Sequence, residues 1–241
     1  PDGRHAFPLE PRVQGRFARI ATAETFPPFA SGVCRVSPPS NRALLRKTLR
    51  THLREARRSL SAAQRIAAAD GLAQRLLALP MLAHTDPPAA GYVAGYWAMD
   101  GEIGLHAFQL RLPKGWIYCL PMLHPDGTLR FAPWRPGDPL VTNRYGIPEP
   151  DISPDAALRA DAMTLVLLPL VGFDAHCHRL GMGGGWYDRS FAFRNSQPAP
   201  PWLVGVGFAA QQTDAIAHEH WDIRMDAICC ENATYFREDR A

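Results

Sequence analysis

At 241 residues the chain is long enough to bury one sizeable core, so a single domain of catalytic size is expected. Hydrophobic residues at 46% and charged residues at 20% match ordinary globular usage and exclude a fibrous or disordered main body. The net charge of +3 hides an uneven layout: residues 41 to 65 hold eight basic residues against Glu55 alone, whereas residues 66 to 241 hold 13 basic and 19 acidic ones.

Residues 1 to 40 contain seven prolines and no sustained apolar periodicity, which reads as a flexible extension ahead of one α/β domain spanning 41 to 241. From Asn41, Leu45, Leu49, Leu53, Ala56 and Leu60 recur at helical spacing and make one apolar stripe. Arg46, Arg50, Arg54 and Arg57 follow one residue behind, which places a basic stripe beside it. A stripe of that sign suits a nucleic acid, an anionic small molecule or the acidic body of the protein itself. Ser61 with Gln64 is a capping box, and the Ala/Leu-rich run behind it predicts a second helix from about Ala62 to Leu79, stopped by Pro80.

Beyond that point, short apolar runs alternate with polar stretches. Strands are expected at Ala90 to Trp97, Trp116 to Leu120, Leu129 to Trp134, Leu165 to Val171, Trp202 to Phe208 and Ala227 to Cys230. Helices are expected at Ile103 to Arg111, Tyr187 to Phe193 and Thr213 to His218. Several of the strands are apolar on both faces, the habit of a mostly parallel sheet. The expected architecture is therefore a three-layer α/β sandwich, Rossmann-like, with helices on both sides of the sheet.

The stretch richest in chemistry runs from the Leu165 strand into Arg179-Leu-Gly-Met-Gly-Gly-Gly-Trp-Tyr-Asp-Arg189. Gly181, Gly183, Gly184 and Gly185 lack side chains and permit positive φ, so backbone N–H groups can converge on an anion ahead of a helix beginning near Trp186. The spacing is not that of a P-loop, and a glycine cluster alone is as often a plain strand-to-helix turn. Asp188 adds a hard oxygen donor suited to magnesium.

The same segment resembles the signature of the 5-formyltetrahydrofolate cyclo-ligase family. Further matches follow in family order: Arg46-Lys-Thr-Leu-Arg50, Asp100-Gly-Glu-Ile103, Asn143-Arg-Tyr-Gly-Ile-Pro-Glu-Pro150 and Trp221-Asp-Ile223. The resemblance implies a cytoplasmic, monomeric enzyme that uses ATP and Mg²⁺ to close 5-formyltetrahydrofolate, free or polyglutamylated, into 5,10-methenyltetrahydrofolate, without nucleic acid or membrane partners. It implies an ATP site of Arg46, Lys47, Arg50, Arg179, Gly181, Met182, Gly183, Gly184, Gly185, Trp186 and Tyr187. It implies folate contacts at Trp97, Glu102, Gly184, Trp186 and Tyr187, and magnesium ligands at Asp188 and Asp222. No residue is assigned covalent catalysis, since positioning and charge neutralisation suffice for phosphoryl transfer.

Lys47 points elsewhere on the helix than Arg46 and Arg50, which share a face. Departures from the family pattern are Gly104 and Leu105 where Asp-Thr is common, Trp186 for Tyr, and Arg46 for Lys. Taken alone, the basic stripe reads as a solvated face, Glu102 as a turn residue and Trp97 as core. His176, Cys177 and His178 alternate in a turn and make a poor chelate. Cys229 and Cys230 read as core packing, and the odd set of five cysteines as free thiols in a reducing compartment. The competing reading is a non-catalytic folate- or nucleotide-binding regulator, or an RNA-binding protein using the basic helix.

Overall fold

The computed structural model describes residues 41–82 and 90–238; the expected extension of residues 1 to 40 lies outside them. Two helices open the described chain, α1 (Asn41–Arg58) and α2 (Ala62–Leu77). The expected capping box between them is present: the Gln64 amide donates to Ser61 Oγ and the Ser61 amide to Gln64 Oε1. Then follow β1 (Gly91–Ala94), α3 (His106–Gln109), β2 (Trp116–Leu123), β3 (Leu129–Pro133), β4 (Leu140–Thr142), β5 (Pro148–Pro150) and β6 (Leu165–Pro169). The remainder holds β7 (Gly172–Phe173), β8 (Arg179–Leu180), α4 (Trp186–Ser190), β9 (Trp202–Val206), β10 (Ala227–Cys229) and β11 (Thr234–Phe236).

The main sheet has seven strands in the order β11-β10-β9-β6-β1-β2-β3. Its five inner strands are parallel, and β3 and β11 close the edges antiparallel. All six strands expected from the sequence lie in this sheet. Burial alternates along them as their two-sided apolarity requires: Leu165 and Leu167 of β6 pack with Val204 of β9 on one face, Val166 and Leu168 with Leu203 and Ile228 on the other. Leu72, Leu76 and Phe108 of α2 and α3 cover the first face, and Phe131, Phe173 and Phe191 pack into the second.

Chain order reverses between β1 and β6: from β1 the chain adds β2 and β3 on one side, and from β6 it adds β9 and β10 on the other. In open α/β sheets such a switch point leaves a crevice at the carboxyl ends of the two strands. The segment after β1 carries Trp97 and Glu102, and the segment after β6 carries Arg179 to Asp188. Helix α1 lies over this end, with Leu53 buried among Val171, Leu180 and Ile216.

The helix expected at Thr213 to His218 does not form. Its backbone donors are taken from outside: the Thr213 amide donates to the Phe173 carbonyl at 2.9 Å and the Ile216 amide to Asp174 Oδ2 at 2.9 Å. The helices expected at Ile103 to Arg111 and Tyr187 to Phe193 shorten to α3 and to α4 with a following 3₁₀ turn.

Candidate active site

A cavity of about 530 Å³ opens where α1, the glycine segment and the loop before β10 meet. Arg46 and Arg50 of α1, Arg179, Gly181, Gly183, Gly185, Asp188 and Asp222 all line it. The four-residue spacing of Arg46 and Arg50 sets both on the same face of α1, as expected. Arg46 Nη1 donates to Asp222 Oδ2 at 2.6 Å and to the Ala217 carbonyl at 2.8 Å, while Arg50 Nε donates to the Gly181 carbonyl at 2.8 Å. Burial, and then the neighbouring Arg46, lower the Arg50 pKa; the Asp222 charge opposes them.

On the opposite wall Arg179 Nη2 donates to Asp188 Oδ1 at 2.7 Å, and the Ile223 amide donates to the same oxygen at 3.2 Å. Arg179 Nε is buried and has no hydrogen-bond acceptor among the described residues. The Glu219 amide donates to Asp222 Oδ2 at 3.0 Å. Asp188 and Asp222 thus each use one oxygen in these bonds and line one cavity, the first from helix α4 and the second from the loop before β10. Such a pair fits a hard divalent cation, which takes one or two protein carboxylates and completes its shell with phosphate and water.

Gly183 and Gly185 have φ of +96° and +67°, so the segment needs glycine at both. At Gly181 a Cβ would lie 2.9 Å from Arg179 Nη1, so the missing side chain makes room for the guanidinium. Helix α4 begins at Trp186 and spans only five residues, so the positive field at the cavity comes from guanidinium groups more than from a helix dipole.

The other expected site residues separate into two groups. Lys47 and Met182 are exposed and, with Gly184, lie off the cavity wall. Trp186 and Tyr187 belong to a neighbouring aromatic patch. Arg144 and Arg189 place their guanidinium carbons 5.3 and 5.1 Å from the Trp186 ring, and Tyr145 meets that ring edge-on at 6.3 Å. Hydrogen bonding with the Trp186 side chain is the main influence lowering the Tyr145 phenol's pKa. Tyr187 stacks on Phe191 with ring centroids 6.4 Å apart, Arg179 sits 5.8 Å from its ring, and its pKa is raised first by burial and then by the Glu102 charge.

Glu102 ends a tight turn in which Asp100 and Gly101 both have positive φ, 51° and 76°. Its Oε2 accepts the Met99 amide at 3.0 Å, and burial raises its pKa against the influence of that bond and of Arg57. Trp97 packs edge-on against Trp134 at 5.8 Å on the first core and is half-buried there.

Sequence reasoning gave no role to Arg144 and Tyr145, which pack on Trp186, or to Arg189, which does so and also lines the cavity. It also left Arg54, Arg57 and Arg58 without a role. Arg54 Nε and Arg57 Nη2 donate to Asp100 Oδ2 at 2.8 and 2.7 Å, and Arg58 donates to Asp100 Oδ1. The distal half of the basic stripe therefore faces the protein itself. The only signal was the charge mismatch between helix and body.

The 5-formyltetrahydrofolate cyclo-ligase family model matches residues 43–231. The chain belongs to that family. A 5-formyltetrahydrofolate cyclo-ligase of Haemophilus influenzae is 34% identical over 184 residues, covering 75% of this chain and 94% of the relative. The Escherichia coli K12 enzyme of the same name is 33% identical over 181 residues, covering 73% and 94%. Among solved structures, a 5,10-methenyltetrahydrofolate synthetase of Aquifex aeolicus superposes with a TM-score of 0.67 at 24% identity, covering 82% of this chain and 95% of its own. The α/β sandwich expected from the sequence is thus the fold of that neighbour too.

Proposed function

We propose that the protein converts 5-formyltetrahydrofolate and ATP into 5,10-methenyltetrahydrofolate, ADP and phosphate, with magnesium. The observation that carries this reading is the cavity that Arg46, Arg50 and Arg179 line together with Asp188, Asp222 and the glycine segment. Three fixed cations suit a polyphosphate, and two carboxylates among them suit the divalent ion that accompanies it.

A formamide oxygen is a poor leaving group. On this reading the formyl oxygen attacks the γ-phosphorus, the bond to the β-phosphate oxygen breaks, and ADP leaves. N10 of the folate then adds to the activated carbon, its proton passes to the phosphate leaving group, and the carbon–oxygen bond breaks to release phosphate and leave the methenyl cation. Arg46, Arg50 and Arg179 hold the phosphates and offset the charge moving between them. Asp188 and Asp222 would hold magnesium, which neutralises phosphate charge when bound. Glu102 accepts the pterin's paired N–H groups, with Tyr187 and Trp186 as walls for the flat ring.

No helix among the described residues is long and apolar enough to cross a membrane, and the described cysteines, Cys119, Cys177, Cys229 and Cys230, are free and buried. The thiols support placing the reaction in a reducing compartment, the cytoplasm. Incubation of purified protein with 5-formyltetrahydrofolate and Mg-ATP should generate the near-ultraviolet absorbance of the methenyl product, dependent on both ATP and magnesium. No signal at high enzyme concentration overturns the proposal.

A further inference from the structure

The turn that presents Glu102 is gripped at all three of its residues. Asp100 takes Arg54, Arg57 and Arg58, the Gly101 carbonyl accepts Arg65 Nη1 at 2.7 Å, and the Glu102 side chain caps the Met99 amide. Arg65 also donates from Nη2 to the Arg57 carbonyl at 2.6 Å, tying the turn to the end of α1. Asp100 has bonds on both oxygens from Arg54 and Arg58 alone, so a third arginine is redundant for clamping it.

Arg57 differs from its two neighbours. Its side chain is 0% exposed, against 34% for Arg54 and 55% for Arg58. Its Nη1 lies 4.0 Å from Glu102 Oε1, and Nη1 and Nε carry no hydrogen bond among the described residues. A buried guanidinium with two unfilled nitrogens is costly to keep. Asp100 explains only Nη2; the other open nitrogen end faces Glu102.

We propose that Arg57 is a positioning residue that keeps the Glu102 carboxylate anionic and aimed at the paired N–H edge of the substrate. This inference rests on the folate reading of Glu102. The electrostatic surroundings show the need. Burial pushes the Glu102 carboxyl up toward its neutral form, Asp100 pushes the same way, and the phenols of Tyr96 and Tyr187 feel the Glu102 charge. The Met99 amide and Arg57 act in the opposite direction. A neutral carboxyl carries its own proton and cannot accept two N–H groups equally well. Arg57 holds the charge in place by Coulomb attraction without occupying the oxygens that a ligand needs.

The test compares Arg57→Met, Arg57→Lys and Glu102→Gln in the full chain, by reduced-folate binding followed through tryptophan fluorescence, by KM for folate and for ATP across pH, and by thermal midpoint. Arg57→Met should weaken folate binding about tenfold or more near pH 6, roughly one charge-assisted interaction, and less at alkaline pH. The acid limb of the folate profile moves to higher pH while KM for ATP stays put. Arg57→Lys, which keeps the charge but not the planar fork, should fall between wild type and Arg57→Met. A folded Arg57→Met with unchanged folate KM and pH profile overturns the proposal, as does an equal rise in both KM values with a lowered midpoint, the mark of a merely structural role. If Arg57→Met does not fold, Arg57→Lys carries the test, and an unmoved acid limb there overturns it. Unchanged folate affinity in Glu102→Gln would instead overturn the folate reading on which the inference stands.

Discussion

Arg179 and Asp188 are joined by a 2.7 Å bond from Nη2 to Oδ1, so the carboxylate proposed for magnesium already neutralises a guanidinium. On the proposed reading Asp188 would be shared between Arg179 and magnesium, and phosphate oxygens would be further acceptors for the arginine. Asp188→Asn removes the charge both partners use while keeping the side chain's shape. KM for Mg-ATP should rise about 10- to 100-fold, the range of one charged hydrogen bond, with little change in thermal midpoint. Turnover unchanged at low Mg-ATP would contradict the role of Asp188.

The two halves of the basic stripe on α1 should respond oppositely to mutation. Arg46→Ala removes a cavity cation and should raise KM for ATP by roughly tenfold or more. Arg54→Ala removes a partly exposed ion pair with Asp100 and should lower stability by at most about 1 kcal/mol, leaving KM for ATP unmoved. If the helix bound RNA instead, both changes would weaken RNA binding alike, with a steep salt dependence. Filter binding against salt separates the two outcomes.

Asp100 predicts an acid-side signature. Burial raises its pKa, but hydrogen bonds from Arg54 and Arg58 and the charges of Arg54 and Arg57 outweigh it and hold the carboxyl at about 2. The folded value lies below the unfolded one of about 3.9, so the anion's stabilising contribution is whole above pH 4 and lost as pH falls toward 2. The stability gap between wild type and Asp100→Asn should therefore be constant near neutrality and close across that acid window. Urea titrations at stepped pH measure it, and a gap that stays constant to pH 2 contradicts the assignment.

Two glycines should separate fold from function. Gly185 has φ +67°, and an added Cβ would lie 2.7 Å from Arg189 Nη1, so Gly185→Ala should destabilise the chain by about 1–2 kcal/mol. Gly181 is not in the left-handed region, and its added Cβ would meet only the Arg179 guanidinium at 2.9 Å. Gly181→Ala should leave the thermal midpoint nearly unchanged while raising KM for ATP several-fold by displacing Arg179. Paired melting curves and kinetics decide.

Local patterns were legible in the sequence. Heptad-like spacing placed α1, the Ser61 and Gln64 pair placed the start of α2, and two-sided apolar runs placed the six strands of the main sheet. Arg46, Arg50, Arg179, Gly181, Gly183 and Gly185, singled out by the basic stripe, the glycine cluster and the family resemblance, line one cavity. Contacts between distant segments left no periodic trace. Asp100 meets arginines 42 to 46 residues earlier, and Arg144 reaches Trp186 through a hairpin loop; neither pair shares a pattern. The segment Thr213 to His218 was misread for the same reason, since Asp174, 42 residues away from Ile216, competes for its backbone.

Helix α1 is the first described element, yet its bonds at the cavity run to Gly181, Ala217 and Asp222, spans of 131, 171 and 176 residues. Contacts of such long sequence separation close loops at an entropic cost. On the ribosome, this set of bonds cannot be complete until the chain has emerged beyond Asp222. The cavity is therefore completed only then, and a chain truncated before Asp222 lacks the wall that closes it.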